Sequence, residues 1–223
     1  MFFYSPLRSN SELMNIVERR RNYLRLSHFD KTVVSVMRQL DRRNFAPPDL
    51  VNPYEDEPFA IGHNQTCSQP SMVAAMATIL DLQPGYRVLE IGTGSGYSAA
   101  VAAKLIEPNG ELYTIEIFKE LSAFAEQNIK RMELSTPITF IIGDGSVGWK
   151  PAAPYDRIYL TAGVGKKFKP DILLGQLTEN GKLLYPEAFG SLFLIEKTRS
   201  GERKAEFKGV GFVYLRGANS GFD

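Results

Sequence analysis

The sequence predicts an α/β protein: a mainly parallel sheet, a helical N-terminal extension and antiparallel strands at the C-terminal edge. Three observations predict it. Between Arg87 and Tyr185, short β-branched and aliphatic runs alternate with amphipathic stretches of helical spacing. That alternation is the pattern of strands joined by right-handed helical crossovers. Before Arg87 the apolar residues recur at three- and four-residue intervals, as on the buried stripe of a helix. After Leu192 two strand-like runs follow with no helix between them, and these are expected to pair antiparallel at a sheet edge.

The first forty residues carry two helical stripes, Leu13-Ile16-Val17-Arg20 and Val33-Val36-Met37-Leu40, the second with Asp30 placed to cap it. Phe45-Ala46-Pro47-Pro48 ends the pattern, since proline disfavours a helical predecessor. Residues 49–66 read as irregular. A third helix is predicted to begin near Pro70, which suits a first helical turn, and to bury Met72, Ala75, Met76, Ile79 and Leu80. The strands expected next are Arg87–Ile91, Leu112–Ile115, Ile138–Ile142, Arg157–Leu160 and Lys182–Tyr185. Helices are expected through Ala99–Ala103, across 119–132 and near Ile172–Leu177. The C-terminal pair is expected at Leu192–Ile195 and Gly211–Leu215.

The 223 residues suffice for one domain. Within it, residues 1–80 are expected to form the helical part and an acceptor-side loop, 81–190 a cofactor-binding core and 191–223 the terminal strands. The net charge of +1 gives no reason to expect a polyanion or membrane partner. Arg19-Arg20-Arg21, the one dense basic run, reads as a solvated helix face. The single cysteine, Cys67, excludes an intrachain disulfide, and no cysteine–histidine cluster suggests a metal. No stretch has the apolar length of a signal peptide core or a membrane span. A reducing cytoplasm is the expected setting.

The strongest local signal is Glu90-Ile91-Gly92-Thr93-Gly94-Ser95-Gly96, after a strand and before a helix. That is where an open α/β sheet binds ligands. A dinucleotide fingerprint requires glycine where Tyr97 stands. Two further elements follow successive strands: Glu116, whose carboxylate could accept hydrogen bonds from two ribose hydroxyls, and Gly143-Asp144-Gly145. The loop with its preceding acid resembles motif I of the S-adenosylmethionine-dependent methyltransferases. In that family the acid of the third element contacts the adenine amino group.

The segment Ile61-Gly62-His63-Asn64-Gln65-Thr66-Cys67-Ser68-Gln69-Pro70 resembles the loop preceding motif I in protein-L-isoaspartate O-methyltransferases. The resemblance extends over about residues 40–185, through Tyr54-Glu55-Asp56, Met72-Val73-Ala74 and Ala153-Pro154-Tyr155-Asp156. It implies a Rossmann-like methyltransferase sheet and S-adenosyl-L-methionine as cofactor. It implies methyl transfer to the free α-carboxylate of L-isoaspartyl residues in damaged proteins. Isoaspartyl peptides and unfolded or aged proteins would be the partners of a monomer, with neither nucleic acid nor membrane. Ser68 is implied as the catalytic residue nearest the reacting carboxylate. Gln65, Thr66, Glu90, Gly92, Thr93, Gly94, Gly96, Glu116, Asp144 and Gly145 are implied as cofactor-binding.

Read without the family, Ser68 could equally cap the helix beginning near Pro70. Thr66 reads as a turn or pocket-lining residue, His63 as a loop hydrogen-bonder and Cys67 as a small buried apolar residue rather than a nucleophile. The sequence departs from the family pattern at several places. Asn64 stands for glycine, Cys67 for isoleucine, Thr161-Ala162-Gly163 for an alanine-rich run, Pro186-Glu187-Ala188 for Pro-Val-Gly, Phe193 near a glutamine position and Tyr214 for proline. Two other readings stay open: a relative that methylates a different peptide carboxylate, and a non-catalytic S-adenosylmethionine-binding protein. A nicotinamide dehydrogenase is disfavoured by Tyr97.

Overall fold

The computed structural model describes residues 9–222. Two helices open it, α1 (Asn10–Arg19) and α2 (Lys31–Gln39). Ser9 caps the first by accepting from the Glu12 amide, and Asp30 caps the second by accepting from the Thr32 and Val33 amides. Their stripes bury Leu13, Met14, Val17, Val33, Val36 and Met37, while Ile16 is left largely at the surface. The arginine triplet is not simply a solvated face: the helix ends at Arg19, and Arg20 pairs with Asp56 and lies over the Tyr23 ring.

A 3-10 turn, Arg42–Phe45, leads into the segment expected to be irregular. Its second half is a hairpin instead: β1 (Phe59–Gly62) pairs antiparallel with β2 (Gln65–Cys67). His63 and Asn64 form the two-residue turn with φ of 52° and 56°. Positive φ at both central positions is the geometry that matches strand twist in such turns. Helix α3 (Pro70–Leu80) follows, buried along nearly its whole length.

The remaining elements are β3 (Arg87–Ile91), α4 (Tyr97–Leu105), β4 (Glu111–Glu116), α5 (Lys119–Ile129), β5 (Ile138–Ile142), β6 (Tyr155–Leu160), α6 (Asp171–Leu174), β7 (Leu177–Pro186), β8 (Phe189–Thr198) and β9 (Gly201–Gly211). They form one seven-stranded sheet in the order β5-β4-β3-β6-β7-β8-β9. The first five are mutually parallel, and β8 and β9 add antiparallel at the edge. Helices α3, α4 and α5 bury one face of this sheet, backed by α1 and α2; Leu173 and Leu174 of α6 cover the other.

The terminal strand differs from expectation. β9 spans Gly201–Gly211, and Leu192–Ile195 pairs with residues 204–207 rather than with 211–215. Residues 212–215 leave the sheet edge and run back beside Gly163: the Gly163 amide donates to Val213 O at 2.7 Å and the Leu215 amide to Gly163 O at 2.8 Å. The sheet also fixes where a ligand can enter. The chain leaves β3 towards β4 on one side and later returns to β6 on the other. Their carboxyl ends therefore diverge into a crevice. Among the described residues no helix is long and apolar enough to cross a membrane, and no His/Cys/Asp/Glu group could hold a metal ion.

Candidate active site

The glycine loop turns at the mouth of that crevice. Gly92 has φ +98°, and a Cβ there would lie 2.4 Å from Thr161 Oγ1, so both the backbone angle and the space demand glycine. Thr161 Oγ1 donates to the Gly92 carbonyl, tying the loop to the segment after β6. Gly92, Thr93 and Gly94 line the crevice. Gly96 does not: it starts α4 with φ +85° and sits against Ala125 and Ile129 of α5. Its role is to let two helices approach.

Glu116 ends β4 and is nearly buried, yet it lines the crevice. Its carboxylate accepts from the Gly94 amide at 2.9 Å and the Phe118 amide at 3.1 Å. A carboxylate has about four lone-pair sites, so these two bonds fix its orientation and leave capacity for two hydroxyls.

Two expected cofactor contacts are placed elsewhere. Glu90 is fully buried and does not line the crevice. Alternation along β3 turns it under the loop, where the Thr114 and Tyr159 hydroxyls donate to it at 2.6 and 2.8 Å. Burial raises its pKa to about 7, against the lowering effect of those hydroxyls. Thr114 also meets Thr93 Oγ1 at 2.6 Å, so Glu90 braces the loop from beneath. Asp144 is likewise absent from the lining, although Gly143 and Gly145 belong to it. Its carboxylate accepts from the Ser146 amide at 2.8 Å and the Ala218 amide at 2.7 Å, clasping the C-terminal segment. Partial burial pushes its pKa up, but these bonds outweigh it and hold it below the ordinary value.

Gln65, Thr66 and Ser68 stand on the opposite wall, delivered by β2 and the residues after it. Cys67, between them, also borders the crevice but is buried and has its thiol pKa raised by burial, as suits an apolar filler. The helix cap is the Gln69 residue, with no side-chain bond to the amides of α3. Ser68 is therefore not a cap, and its hydroxyl makes no hydrogen bond within the described residues. Its carbonyl is held by Arg42 Nη2 at 3.1 Å. Arg42 is fully buried and donates also to the carbonyls of Pro53, Glu55 and Glu57 at 2.7–2.8 Å, its guanidinium lying over the Phe59 ring. His63, at the hairpin tip, packs its ring on Phe118 with centroids 4.7 Å apart.

The crevice adjoins a wider one on the far side of Ser68. Gln65, Thr66, Ser68, Thr161, Tyr214 and Arg216 border both. Beyond them the second cavity is walled by Pro58, Asn64, Met72, Phe189 and Phe212. Thr161, Phe118, Tyr214 and Arg216 are site residues that sequence reasoning missed. The Arg216 guanidinium lies 5.3 Å over the Phe118 ring, so the C-terminal segment roofs the crevice. A bilobed site of this form can hold a donor and an acceptor on either side of a narrow polar seam.

Residues 8–219 match the family model for protein-L-isoaspartate(D-aspartate) O-methyltransferase. The chain belongs to this family. A protein-L-isoaspartate O-methyltransferase from Methanopyrus kandleri is 43% identical over 190 residues, 83% of each chain. One from Methanothermobacter thermautotrophicus is 44% identical over 193 residues, 84% of this chain and 88% of that one. Among solved structures, a Plasmodium falciparum beta-aspartate methyltransferase in complex with S-adenosyl-L-homocysteine superposes with a TM-score of 0.80 at 28% identity. That superposition covers 94% of this chain and 99% of its counterpart. The family match includes both the glycine loop and the Gln65–Ser68 wall, the two opposed walls of the crevice.

Proposed function

We propose that this protein is a repair enzyme that moves the methyl group of S-adenosylmethionine to the free α-carboxylate of L-isoaspartyl residues in damaged proteins. The observation that carries the reading is the pair of cavities meeting at Ser68 in a chain of this family. The cofactor supplies a methyl already activated by its sulfonium. An α-carboxylate is ionised near neutral pH, so the protein needs no strong general base. Its task is alignment and exclusion of water.

The chain's own groups divide that task. Gly92, Thr93 and Gly94 bring backbone close to the cofactor, and Glu116 accepts from its ribose. Gly143 and Gly145 leave room for the base. Gln65 and Thr66 close the crevice at the seam. Ser68, whose hydroxyl is uncommitted, donates a hydrogen bond to the acceptor carboxylate, and Arg42 positions it by gripping its carbonyl. Arg216 and Phe118 cover the crevice from above. The methyl ester leaves the protein; the adjacent backbone amide nitrogen attacks its carbonyl and expels methanol, and the resulting succinimide is hydrolysed partly to normal aspartate.

A second reading is favoured by Asn64 and Tyr214, departures from the family pattern that both line the acceptor cavity. It is methylation of another peptide carboxylate. Incubation with labelled S-adenosylmethionine and paired isoaspartyl and aspartyl peptides tests both. Base-labile label in the isoaspartyl peptide alone supports repair, whereas label in neither, with another carboxylate modified, replaces it.

A further inference from the structure

The acceptor cavity opens onto an aromatic surface that methyl transfer itself does not use. Phe189 is 75% exposed and Tyr214 56%; Phe222, beyond the cavity lining, is 40% exposed. The three rings touch in series. Tyr214 meets Phe189 at 6.0 Å and 80°, and Phe222 at 4.9 Å and 74°, both edge to face. Single exposed aromatics are ordinary, but a contiguous set at the rim of a cavity marks a binding surface.

Local structure holds this surface in place. Phe189 opens β8 opposite Gly211, which has no side chain to cover the ring. Tyr214 is fixed by the hydrogen bonds that Val213 and Leu215 make with Gly163 on either side of it. Among the described residues, Arg216 is the sole charged one lining the acceptor cavity, and the wall between the seam and the rings is otherwise neutral. Tyr214 borders the seam together with Ser68, which joins the aromatic surface directly to the place where the carboxylate reacts.

We infer that Phe189, Tyr214 and Phe222 form a subsite for an apolar side chain, best an aromatic one, flanking the isoaspartyl residue of the substrate. The inference rests on the proposed function for the presence of a polypeptide in that cavity. An extended peptide advances about 3.3 Å per residue, so a chain anchored at Ser68 carries its next few side chains along the wall to the rings. Edge-to-face contact and apolar burial favour a ring there over glycine.

Fluorescence anisotropy tests this without turnover. Labelled isoaspartyl peptides, identical except for Phe or Gly beside the isoaspartyl residue, are titrated with the protein saturated in S-adenosyl-L-homocysteine. The Phe peptides should bind about tenfold more tightly, equivalent to about 1.4 kcal/mol. Phe189→Ser and, separately, Phe222→Ser should bring that ratio towards one with the melting temperature unchanged. Equal binding of Phe and Gly peptides by the unsubstituted protein overturns the inference, as does a ratio that neither variant alters. A protein that prefers the Phe peptides yet methylates none of them keeps the subsite and overturns the repair reading.

Discussion

Replacing Ser68 by Ala separates chemistry from architecture. A helix-capping hydroxyl is worth about 1 kcal/mol. For a domain of 150–250 residues, that loss lowers the melting temperature by about 2–4 °C. The Ser68 hydroxyl, however, makes no hydrogen bond within the described residues, and the cap position belongs to Gln69 without a side-chain bond. The stability change should therefore stay within about 0.5 kcal/mol, as for a surface substitution. Rate should respond differently. A hydrogen bond to a charged group contributes about 1.5–3 kcal/mol. Its loss in the transition state slows methyl transfer between about tenfold and a hundredfold. One preparation of the variant serves three measurements: thermal melting, calorimetric affinity for S-adenosyl-L-homocysteine, and initial rate of label transfer to an isoaspartyl peptide. The expected result is intact melting, intact product affinity and a depressed rate. Full activity combined with a melting point lowered by several degrees would refute the reasoning at its first step.

Other substitutions probe the remaining parts. Glu116→Ala should weaken calorimetric affinity for S-adenosyl-L-homocysteine, because two backbone amides and two ribose hydroxyls lose a shared acceptor; unchanged affinity removes Glu116 from the site. Gly92→Ala should melt lower by about 1–3 kcal/mol of backbone strain plus its collision with Thr161, and bind the cofactor poorly. Glu90→Gln should change the pH dependence of stability. Burial raises the folded pKa of Glu90 from 4.5 to about 7, so the folded state holds a proton there that the unfolded state releases. The contribution of Glu90 therefore falls as pH rises from 4.5 to 7, by about 3 kcal/mol at about 1.4 kcal/mol per unit. The variant's melting temperature should gain on that of the unsubstituted protein between pH 5 and 8, and a constant difference would contradict this. Asn64→Gly keeps the left-handed turn, since glycine adopts φ near +56° freely, and removes polar bulk from the acceptor wall. It should broaden the range of peptides methylated without abolishing activity.

The glycine loop and Glu116 at the mouth of the crevice are legible in sequence because their constraints are local. A strand, a glycine loop and a helix are contiguous, and Glu116 lies at the end of the next strand. What was not legible depends on distant neighbours. Glu90 precedes the glycines as a ligand-binding acid would, but the two-residue period of a strand decides which face it takes, and Thr114 and Tyr159 come from other strands. Asp144 was claimed by Ala218, more than seventy residues away. Gly96 answers to the packing of α5. The β1–β2 hairpin carries a weak sequence signal because His63 and Asn64 occupy the turn positions where glycine would mark it. β9 lacks an apolar strand signature because it is exposed and charged from Glu202 to Lys208, while the apolar run after it serves as a roof rather than a strand.

The grip of Arg42 bears on how such a protein can diverge. Its guanidinium donates to the main-chain oxygens of Pro53, Glu55, Glu57 and Ser68, whatever those four residues carry as side chains, and rests on the Phe59 ring. Mutation can therefore change the side chains at positions 53, 55 and 57 without unseating the loop, while Phe59 and Asp56, which the fold grips by their side chains, stay fixed. The same arrangement concentrates risk. A lineage can drift at those three positions, but loss of the single arginine would release all four carbonyls at once.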